Sequence, residues 1–304
     1  MASQLVELSD ALALATEQAA ATIVAVHSEQ RGSASGVVWR SGVIVTSEHA
    51  LRRDEDIRVT LADGRVAQAT LVGRDPSTDL AVLKCAEATT AIANAADANS
   101  LKPGSLILAV GRTRASGPVA AFGVVSLVAN ERKTWTGASL APYIRLDVSI
   151  QPTAVGGAVV DASGKLFGVI TPRFGRFGST LTPAATVNNV VDTLLEKGRI
   201  PRGYLGVGLQ PVRLPEALRQ TLKREEKTAA IVLEIEPDSP ANRAGLMIGD
   251  IIVTLGGNTV SRLEDIHSKL HGSAIGKPFA IGFVRGGAVQ QAEITVAERP
   301  HGGN

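Results

Sequence analysis

Short apolar runs separated by turn residues are the feature that most constrains how this chain can fold. Between residues 20 and 185 these runs alternate with period two, and Gly, Asp-Gly or Pro turns separate them. The runs are ATIVAVHS, SGVVWR, GVIVTSE, DIRVTLADG, RVAQATLVG, DLAVLKC, SLILAVG, AAFGVVSLVA, YIRLDVSI, GAVVD and KLFGVITP. Strands of this length and spacing are typical of β-barrels and β-sandwiches. Because a polar, alanine-rich segment at 86–104 interrupts the series, we expect two consecutive all-β halves.

Different patterns flank the two halves. Apolar residues in the first 19 positions predict a short amphipathic helix, and ATVNNVVDTLLEKG has helical spacing and ends on Gly198. After Tyr204, strand patterns alternate with two helix candidates, PEALRQTLK and RLEDIHSKLHG. We therefore predict five segments: an N-terminal helix at 1–19, an all-β domain at 20–196, a linker at 197–203, a small α+β module at 204–298 and a flexible tail at 299–304.

Composition excludes several functional classes. The net charge is +2 and aromatic residues make up 3% of the chain, so neither a basic surface nor a stacking platform for nucleic acid is indicated. The single cysteine, Cys85, excludes an intrachain disulfide and ends an apolar run, which predicts a buried core position. No histidine or cysteine spacing predicts a metal site, and we expect no cofactor.

The N-terminal stretch does not read as a targeting or spanning segment. It lacks a basic beginning, carries Glu7 and Asp10, and has Glu17 within its apolar part. These charges predict neither a signal peptide nor a membrane span. The compartment stays open: we expect a cytoplasmic protein as numbered, or a periplasmic one if the chain is a mature or truncated form.

Three positions in the all-β region combine into a recognisable layout. His49 follows a strand end in VIVTSEHALRR, and Asp79 precedes a strand in GRDPSTDLAVLK. Val155 stands at the tip of QPTAVGGAVV, directly before Gly156 and Gly157. A histidine, an aspartate and a Gly-Gly turn in this order across two β-halves is the layout of a chymotrypsin-type catalytic triad.

These motifs, together with YLGVGLQPV and SPANRAGLMIGDIIVTLGG, resemble the HtrA (DegP/DegS) family over residues 20–298. The resemblance implies a trypsin-like double six-stranded β-barrel followed by a small α+β PDZ domain. It implies that His49 is the general base and that Asp79 orients it. The family's nucleophile motif, Gly-Asn-Ser-Gly-Gly, reads Thr-Ala-Val-Gly-Gly at 153–157 here, which puts Val155 at the position of the serine.

The departure from the family motif bears directly on chemistry. Valine has neither a proton to release nor a lone pair for attack, so His49 would have nothing to activate. The region that forms the oxyanion hole in the family consists here of Thr153, Ala154 and Val155, and a β-branched Thr153 disfavours the backbone geometry that glycine permits. Ser149 and Ser179 are the alternative nucleophiles, although neither has the Gly-Gly context.

The resemblance also implies a peptide site in the C-terminal module. The segment Tyr204-Leu205-Gly206-Val207 corresponds to the loop whose backbone N–H groups bind a peptide's terminal carboxylate. The strand that follows would accept the peptide as an additional strand. An apolar stripe on the second helix candidate would hold the last side chain of the peptide; it consists of Leu263, Ile266 and Leu270. The competing interpretation is that this stripe packs only within its own domain.

These observations leave several functions open. The favoured hypothesis is a catalytically inactive HtrA-like homologue that binds peptide or protein C-termini or unfolded segments, as a scaffold or as a regulator of an active HtrA-like protease. The alternatives are an active serine endopeptidase with a relocated nucleophile and a holdase-like chaperone. A homo-oligomer is also open: the family often forms trimers through N-terminal aromatic residues, and no aromatic residue precedes Trp39 here.

Overall fold

The computed structural model describes residues 2–27, 33–89, 95–130, 132–133, 139–140, 142–172, 178–270 and 272–299. Of the tail predicted at 299–304, all but Arg299 lies outside the described residues. The chain forms two compact units: most residues up to Ile200 belong to the first, and the residues from Pro201 onward form most of the second. The expectation of two six-stranded barrels followed by a small α+β module is confirmed.

The first barrel closes six antiparallel strands in the order β1-β2-β3-β6-β5-β4. Its strands are β1 (Ile23–His27), β2 (Ser33–Arg40), β3 (Val43–Ser47), β4 (Ile57–Thr60), β5 (Val66–Asp75) and β6 (Leu80–Lys84). Along β5 the first residues alternate between exposed and buried, as expected for a strand with one face on a core. In contrast, all five residues of β1 are buried, so this strand is covered on both faces.

The second barrel closes in the order β11-β14-β13-β12-β7-β8. The strands of this region are β7 (Leu106–Thr113), β8 (Gly117–Ala129), the short pair β9 (Arg132–Lys133) and β10 (Ser139–Leu140), β11 (Tyr143–Asp147), β12 (Ala158–Val160), β13 (Leu166–Thr171) and β14 (Ser179–Pro183). Two helices accompany the barrels, α1 (Ala2–Ala20) and α2 (Ala184–Lys197). As predicted, α2 ends at Gly198, which adopts the left-handed conformation (φ +69°) and donates its N–H to Leu194.

A shared apolar seam joins the two barrels. Val37 and Val82 of the first barrel pack with Val110 and Val169 of the second, and α2 covers this cluster with residues such as Leu194. Each barrel also has its own interior cluster. Strands at the seam are therefore buried on both sides, which explains the continuous apolar runs in this part of the sequence.

Helix α1 packs through two small residues and the half-buried Leu12. Ala15 and Ala19 are buried in the seam cluster, whereas Leu5 and Leu14 are exposed. Small side chains let the helix axis approach the barrel closely. Arg112 on β7 links α1 to β1, because its side chain donates to the carbonyl of Ala20 at the end of α1 (2.9 Å) and to the carbonyl of Ile23 at the start of β1 (2.7 Å). The guanidinium thus satisfies one of the carbonyls that a helix end leaves without partners.

The second unit is an antiparallel sheet with three short helices. Its elements are β15 (Gly203–Tyr204), β16 (Val207–Arg213), α3 (Glu216–Thr221), β17 (Thr228–Ile235), α4 (Pro240–Arg243), β18 (Ile251–Leu255), β19 (Asn258–Thr259), α5 (Leu263–His267), β20 (Pro278–Arg285), β21 (Ala288–Thr295) and β22 (Ala297–Glu298). The main sheet runs β16-β17-β18-β20-β21, with β19 paired to β18, and β15 pairs with β22. Strand β16 therefore lies at an edge.

Helix α5 is shorter than the sequence pattern RLEDIHSKLHG predicted. After His267 the backbone tightens: Lys269 donates its N–H to Ile266 and Leu270 donates to His267, both three residues back. This 3₁₀-type winding ends the α-helix early. In the described part of the chain, no helix is both long and apolar enough to cross a membrane.

Candidate functional site

A hydrogen-bonded turn after β5 sets the position of Asp79. The buried carboxylate of Asp75 accepts hydrogen bonds from the hydroxyls of Ser77 and Thr78, the second at 2.7 Å. This Asx-type turn brings Asp79 into the left-handed region, at φ +56°. Aspartate is among the few residues other than glycine that adopt this conformation readily. The sequence DPSTD therefore delivers one carboxylate to the start of β6 in a fixed direction.

The carboxylate of Asp79 is completely buried and fully engaged. It accepts hydrogen bonds from the Ser47 hydroxyl (2.9 Å), the backbone N–H of His49 (3.0 Å) and the Thr171 hydroxyl. The Nδ1 atom of His49 lies 2.8 Å from both carboxylate oxygens. Buried carboxylates persist only when hydrogen bonds replace the lost water, and here four groups provide them.

This arrangement fixes the imidazole of His49 as a base. Because Nδ1 faces a carboxylate that can only accept, Nδ1 carries the hydrogen in the neutral ring and Nε2 keeps its lone pair. The side chain of His49 is 33% exposed, so one edge of the ring is open to solvent. The structure thus brings together His49 and Asp79 in the geometry of a general base and its orienting acid.

Val155 lies in a tight bend that precedes β12 of the second barrel and contacts β2 of the first. It is 7% exposed, and its carbonyl accepts a hydrogen bond from the N–H of Ser35 at 2.9 Å. Gly156 follows with φ +82°, and a Cβ there would lie 2.4 Å from the Ser35 oxygen and 2.7 Å from the Ser47 nitrogen. A Cβ on Gly157 would lie 2.2 Å from the Val110 oxygen. Both glycines are therefore required by packing alone, whatever the chemistry of residue 155.

The backbone before the bend turns inward. Pro152–Ala154 form a single 3₁₀ turn, in which the N–H of Val155 points at the Pro152 oxygen at 3.3 Å, a long hydrogen bond. In an oxyanion hole, the N–H of the nucleophile residue points at the substrate instead. Thr153 has no left-handed backbone, its carbonyl accepts from the Ser35 hydroxyl at 2.6 Å, and its own buried hydroxyl has no hydrogen-bond partner among the described residues. In the region of Thr153, Ala154 and Val155, the N–H of Val155 and the carbonyl of Thr153 are thus both engaged within the protein and do not point toward a substrate.

The sequence offers two alternative nucleophiles, the hydroxyls of Ser149 and Ser179. Ser149 is exposed and Ser179 is buried, and within the described residues neither forms a hydrogen bond with His49. The hydroxyl that does reach the histidine is that of Ser47, 2.8 Å from Nδ1, and it is fully buried. The Ser47 hydroxyl contacts Nδ1, whereas the nitrogen that could accept a proton from a nucleophile is Nε2. Ser47, Thr171 and Ser35 are not among the residues predicted from sequence. Ser47 and Thr171 end strands β3 and β13, whereas Ser35 lies within β2, where no sequence signal marks it.

The loop predicted to bind a carboxylate begins the second unit. Leu205 is buried, and its carbonyl accepts from Ala241 at 2.9 Å. Gly206 has φ +75°, and a Cβ there would lie 2.1 Å from the Ser239 Cβ, so only glycine fits. Across the described residues, the backbone N–H groups of Leu205 and Gly206 donate to no backbone oxygen. Val207 then enters β16.

Tyr204 closes one side of this loop. Its hydroxyl donates a hydrogen bond to the Glu236 carboxylate. Partial burial, and then the neighbouring carboxylate, raise the pKa of Tyr204 to about 12. The phenol therefore stays protonated and remains a donor at every physiological pH. The loop is braced on that side by a neutral donor paired with an acid.

The predicted apolar stripe on α5 divides into two parts. Ile266 is 1% exposed and belongs to the interior of the unit, where it packs with residues such as Val232 and Phe283. Leu263 and Leu270 are only half-buried against the same core. Part of the stripe therefore packs within the domain, and its two ends remain available beside β16.

Comparisons with known proteins agree with both units. The family model "Trypsin-like peptidase domain" matches residues 34–169, and the family model "PDZ domain" matches residues 203–296. The chain is a homologue of the HtrA-type serine endoproteases. A protein of Brucella suis named "Probable periplasmic serine endoprotease DegP-like" is 31% identical over 283 residues, which cover 90% of this chain and 54% of the relative. A protein of the same name from Halomonas elongata is 30% identical, over 90% of this chain and 58% of the relative.

Solved structures of HtrA-type proteases match nearly the whole of this chain. The HtrA-type protease AlgW with a decapeptide superposes with a TM-score of 0.75 and 26% identity, over 95% of this chain and 99% of that chain. The serine endoprotease from Yersinia pestis superposes with a TM-score of 0.74 and 26% identity, over 95% and 98%. The HtrA-type homologue described here spans only about half the length of the curated relatives it matches.

Proposed function

We propose that this HtrA-type homologue binds peptide C-termini through its PDZ domain and does not cleave them. The observation that carries the proposal is Val155: the side chain at the position of the nucleophile has no oxygen, while His49 and Asp79 remain hydrogen-bonded to each other. In subtilisin, loss of the nucleophile alone lowers turnover about a million-fold. The inward N–H of Val155 removes one oxyanion donor as well.

Three features support peptide binding. In the described residues, β16 pairs with β17 on one side and with no strand on the other, so an extended peptide can pair with its open edge. The N–H groups of Leu205 and Gly206 are uncommitted and stand at the start of that strand. AlgW, a structural neighbour, was solved with a decapeptide. A cluster of N–H donors binds a carboxylate without a charged side chain.

The binding activity fits a scaffold or a regulator of an active HtrA-type protease. The double barrel keeps its packing and its His49–Asp79 pair, so it retains the outer form of a protease domain without a nucleophile. Such a chain can engage the same peptide ends as an active relative without consuming them. Its partners under this proposal are protein C-termini and an HtrA-type protease.

A paired assay tests the absence of hydrolysis. The purified chain is incubated with casein and, separately, with a serine-reactive fluorophosphonate probe. We expect neither cleavage nor labelling above a buffer control. An active HtrA-type protease serves as the positive control, and His49→Ala serves as the matched variant.

The outcomes separate the two enzymatic possibilities. Cleavage that His49→Ala abolishes would overturn the proposal and establish an endopeptidase with a relocated nucleophile. Mass spectrometry of the labelled peptide would then identify that residue, with Ser149 and Ser179 as the first candidates. Cleavage that persists in His49→Ala would identify a contaminating protease, and a repurified sample would then have to give no cleavage.

A further inference from the structure

The open edge of β16 has a feature that concerns which peptides it accepts. The register pairs Val207 with Ile235 and Gly208 with Glu234 across the β16–β17 ladder. Val207, Leu209 and Ile235 pack against the core of the unit. The register shifts between Gly208 and Leu209, so a β-bulge separates Val232 from Glu234. Glu234, the exposed neighbour of inward-facing Ile235, therefore shares with Gly208 the face that is turned away from that core.

Gly208 leaves space that the side chain of Glu234 enters. A Cβ built on Gly208 would lie 2.9 Å from the Cβ of Glu234 and 3.4 Å from its Oε2 atom. The carboxylate of Glu234 therefore lies over β16, toward the edge where a peptide strand would add. Any larger residue at 208 would occupy this path and hold the acid back from the edge.

Glu234 is also an exposed charge without a local partner. Within the described residues it forms no ion pair and no side-chain hydrogen bond, in contrast to Glu236, which accepts the hydroxyl of Tyr204. An acid placed beside a binding edge favours ligands that bring a positive charge to the same point. The loop at Leu205 and Gly206 offers N–H donors to the terminal carboxylate only one residue before this edge begins.

We infer that Glu234, reaching across Gly208, selects peptides that carry lysine or arginine at the outward-facing positions next to a free C-terminus. A peptide strand that pairs with β16 points alternate side chains toward α5 and away from it. With the last side chain on the α5 side, the first and third residues before it face outward beside Gly208. The favoured ligand thus combines a terminal carboxylate, an apolar last residue and a basic residue immediately upstream. This inference rests on the proposed function.

Fluorescence anisotropy with the full chain tests the inference. The probes are labelled decapeptides that end in valine with a free carboxylate and carry lysine, alanine or glutamate at both outward positions. We expect the lysine peptide to bind about two- to five-fold tighter than the alanine peptide, as for an exposed ion pair, and the glutamate peptide to bind weakest. The preference should shrink at high salt.

Three variants isolate the residue, and two of them, Glu234→Gln and Glu225→Gln, make the same change of charge. Glu234→Gln should bind the lysine and alanine peptides equally, and Glu234→Lys should prefer the glutamate peptide. Glu225→Gln removes an exposed acid elsewhere in the same unit and should keep the wild-type preference. A lysine preference that survives in Glu234→Gln, or that is absent in the wild type, would overturn the inference.

A separate outcome concerns the proposed function itself. If no peptide with a free carboxylate binds, or if C-terminal amidation leaves affinity unchanged, carboxylate recognition fails and the inference fails with it. If all three peptides bind with equal affinity and amidation abolishes binding, the PDZ site stands and only the role of Glu234 is overturned.

Discussion

Residue 155 differs in two ways from the nucleophilic serine of a working triad, one in its side chain and one in its backbone. Valine supplies no nucleophile, and its N–H points at Pro152 within a closed turn. Thr153 adds to the second change because its carbonyl is held by Ser35 and its hydroxyl has no partner in the described residues. Hydrolysis through residue 155 would therefore require both a side chain with a hydroxyl and a different loop conformation.

This reasoning predicts a difference between two restored variants. Val155→Ser alone should hydrolyse casein at a barely measurable rate, because the oxyanion donor remains turned inward. The triple variant Thr153→Gly, Ala154→Asn, Val155→Ser should exceed it by about a hundred-fold or more, the typical worth of one oxyanion donor. Initial rates with a fluorogenic casein substrate measure both.

The same substitutions with His49→Ala provide the control for that comparison. This quadruple variant should lose casein hydrolysis down to the buffer background, because the serine would lose its base. Equal rates for the single and triple variants would show that the backbone of 152–155 does not limit catalysis.

At the scale of elements, a chain of hydrogen bonds links α1 to the turn at 152–154. Through its side chain, Arg112 holds the Ala20 carbonyl at the end of α1 and the Ile23 carbonyl at the start of β1, and its backbone N–H donates to the Ser35 hydroxyl at 2.8 Å. Ser35 in turn donates to the Thr153 carbonyl. A single buried arginine on β7 thereby fixes the N-terminal helix and supports the residue that positions the turn.

Arg112→Ala should destabilise the first unit and loosen α1. Two carbonyls would lose their buried donors, at a cost of about 2–4 kcal/mol in the free energy of unfolding. Urea unfolding measures the loss, and hydrogen exchange of the α1 amides measures the local effect. Arg40→Ala is the matched control, since Arg40 pairs with Asp192 at the surface, 2.6 Å apart, and should cost at most about 1 kcal/mol. Unchanged exchange in α1 for Arg112→Ala would contradict this role.

Strand patterns were sufficient to predict the two barrels, but not the supports of the site. Period-two runs report burial on one or two faces, and the order of His49, Asp79 and the Gly-Gly turn reports the layout of the triad. Ser47 and Thr171 could not be predicted, because a hydroxyl at a strand end does not reveal which carboxylate it meets across the seam.

Helix details escaped prediction for a similar reason. The apolar pattern of α1 does not show which residues pack: Ala15, Ala19 and Leu12 face the seam cluster, whereas Leu5 and Leu14 are exposed. The pattern of α5 continued past His267, whereas the backbone there tightens to three-residue hydrogen bonds. Both outcomes depend on tertiary contacts that no local periodicity records.

At the scale of the whole molecule, each unit has its own apolar core. The second unit packs Val232, Ile252 and Phe283 around Ile266, all within the residues after 200. A domain of about a hundred residues with a continuous core usually folds independently. The peptide edge, the carboxylate loop and Glu234 all belong to this unit.

A fragment of residues 201–299 should therefore fold alone and bind free-acid peptides with the affinity of the full chain. Circular dichroism and the dispersion of amide NMR signals test folding, and anisotropy tests binding. The complementary fragment, 2–200, should fold but show no preference for a free carboxylate. A fragment 201–299 with the spectrum of an unfolded chain would contradict the independence of this unit.

The glycines at 156 and 157 have a consequence for reading genomes. Their backbone lies against Ser35, Ser47 and Val110 so closely that steric fit requires them whatever side chain precedes them. A search pattern weighted toward such glycines would score this chain like a relative that has serine at 155. The residue before the glycines is the informative one, and surveys that score it separately should find other chains in which a side chain without a hydroxyl stands there.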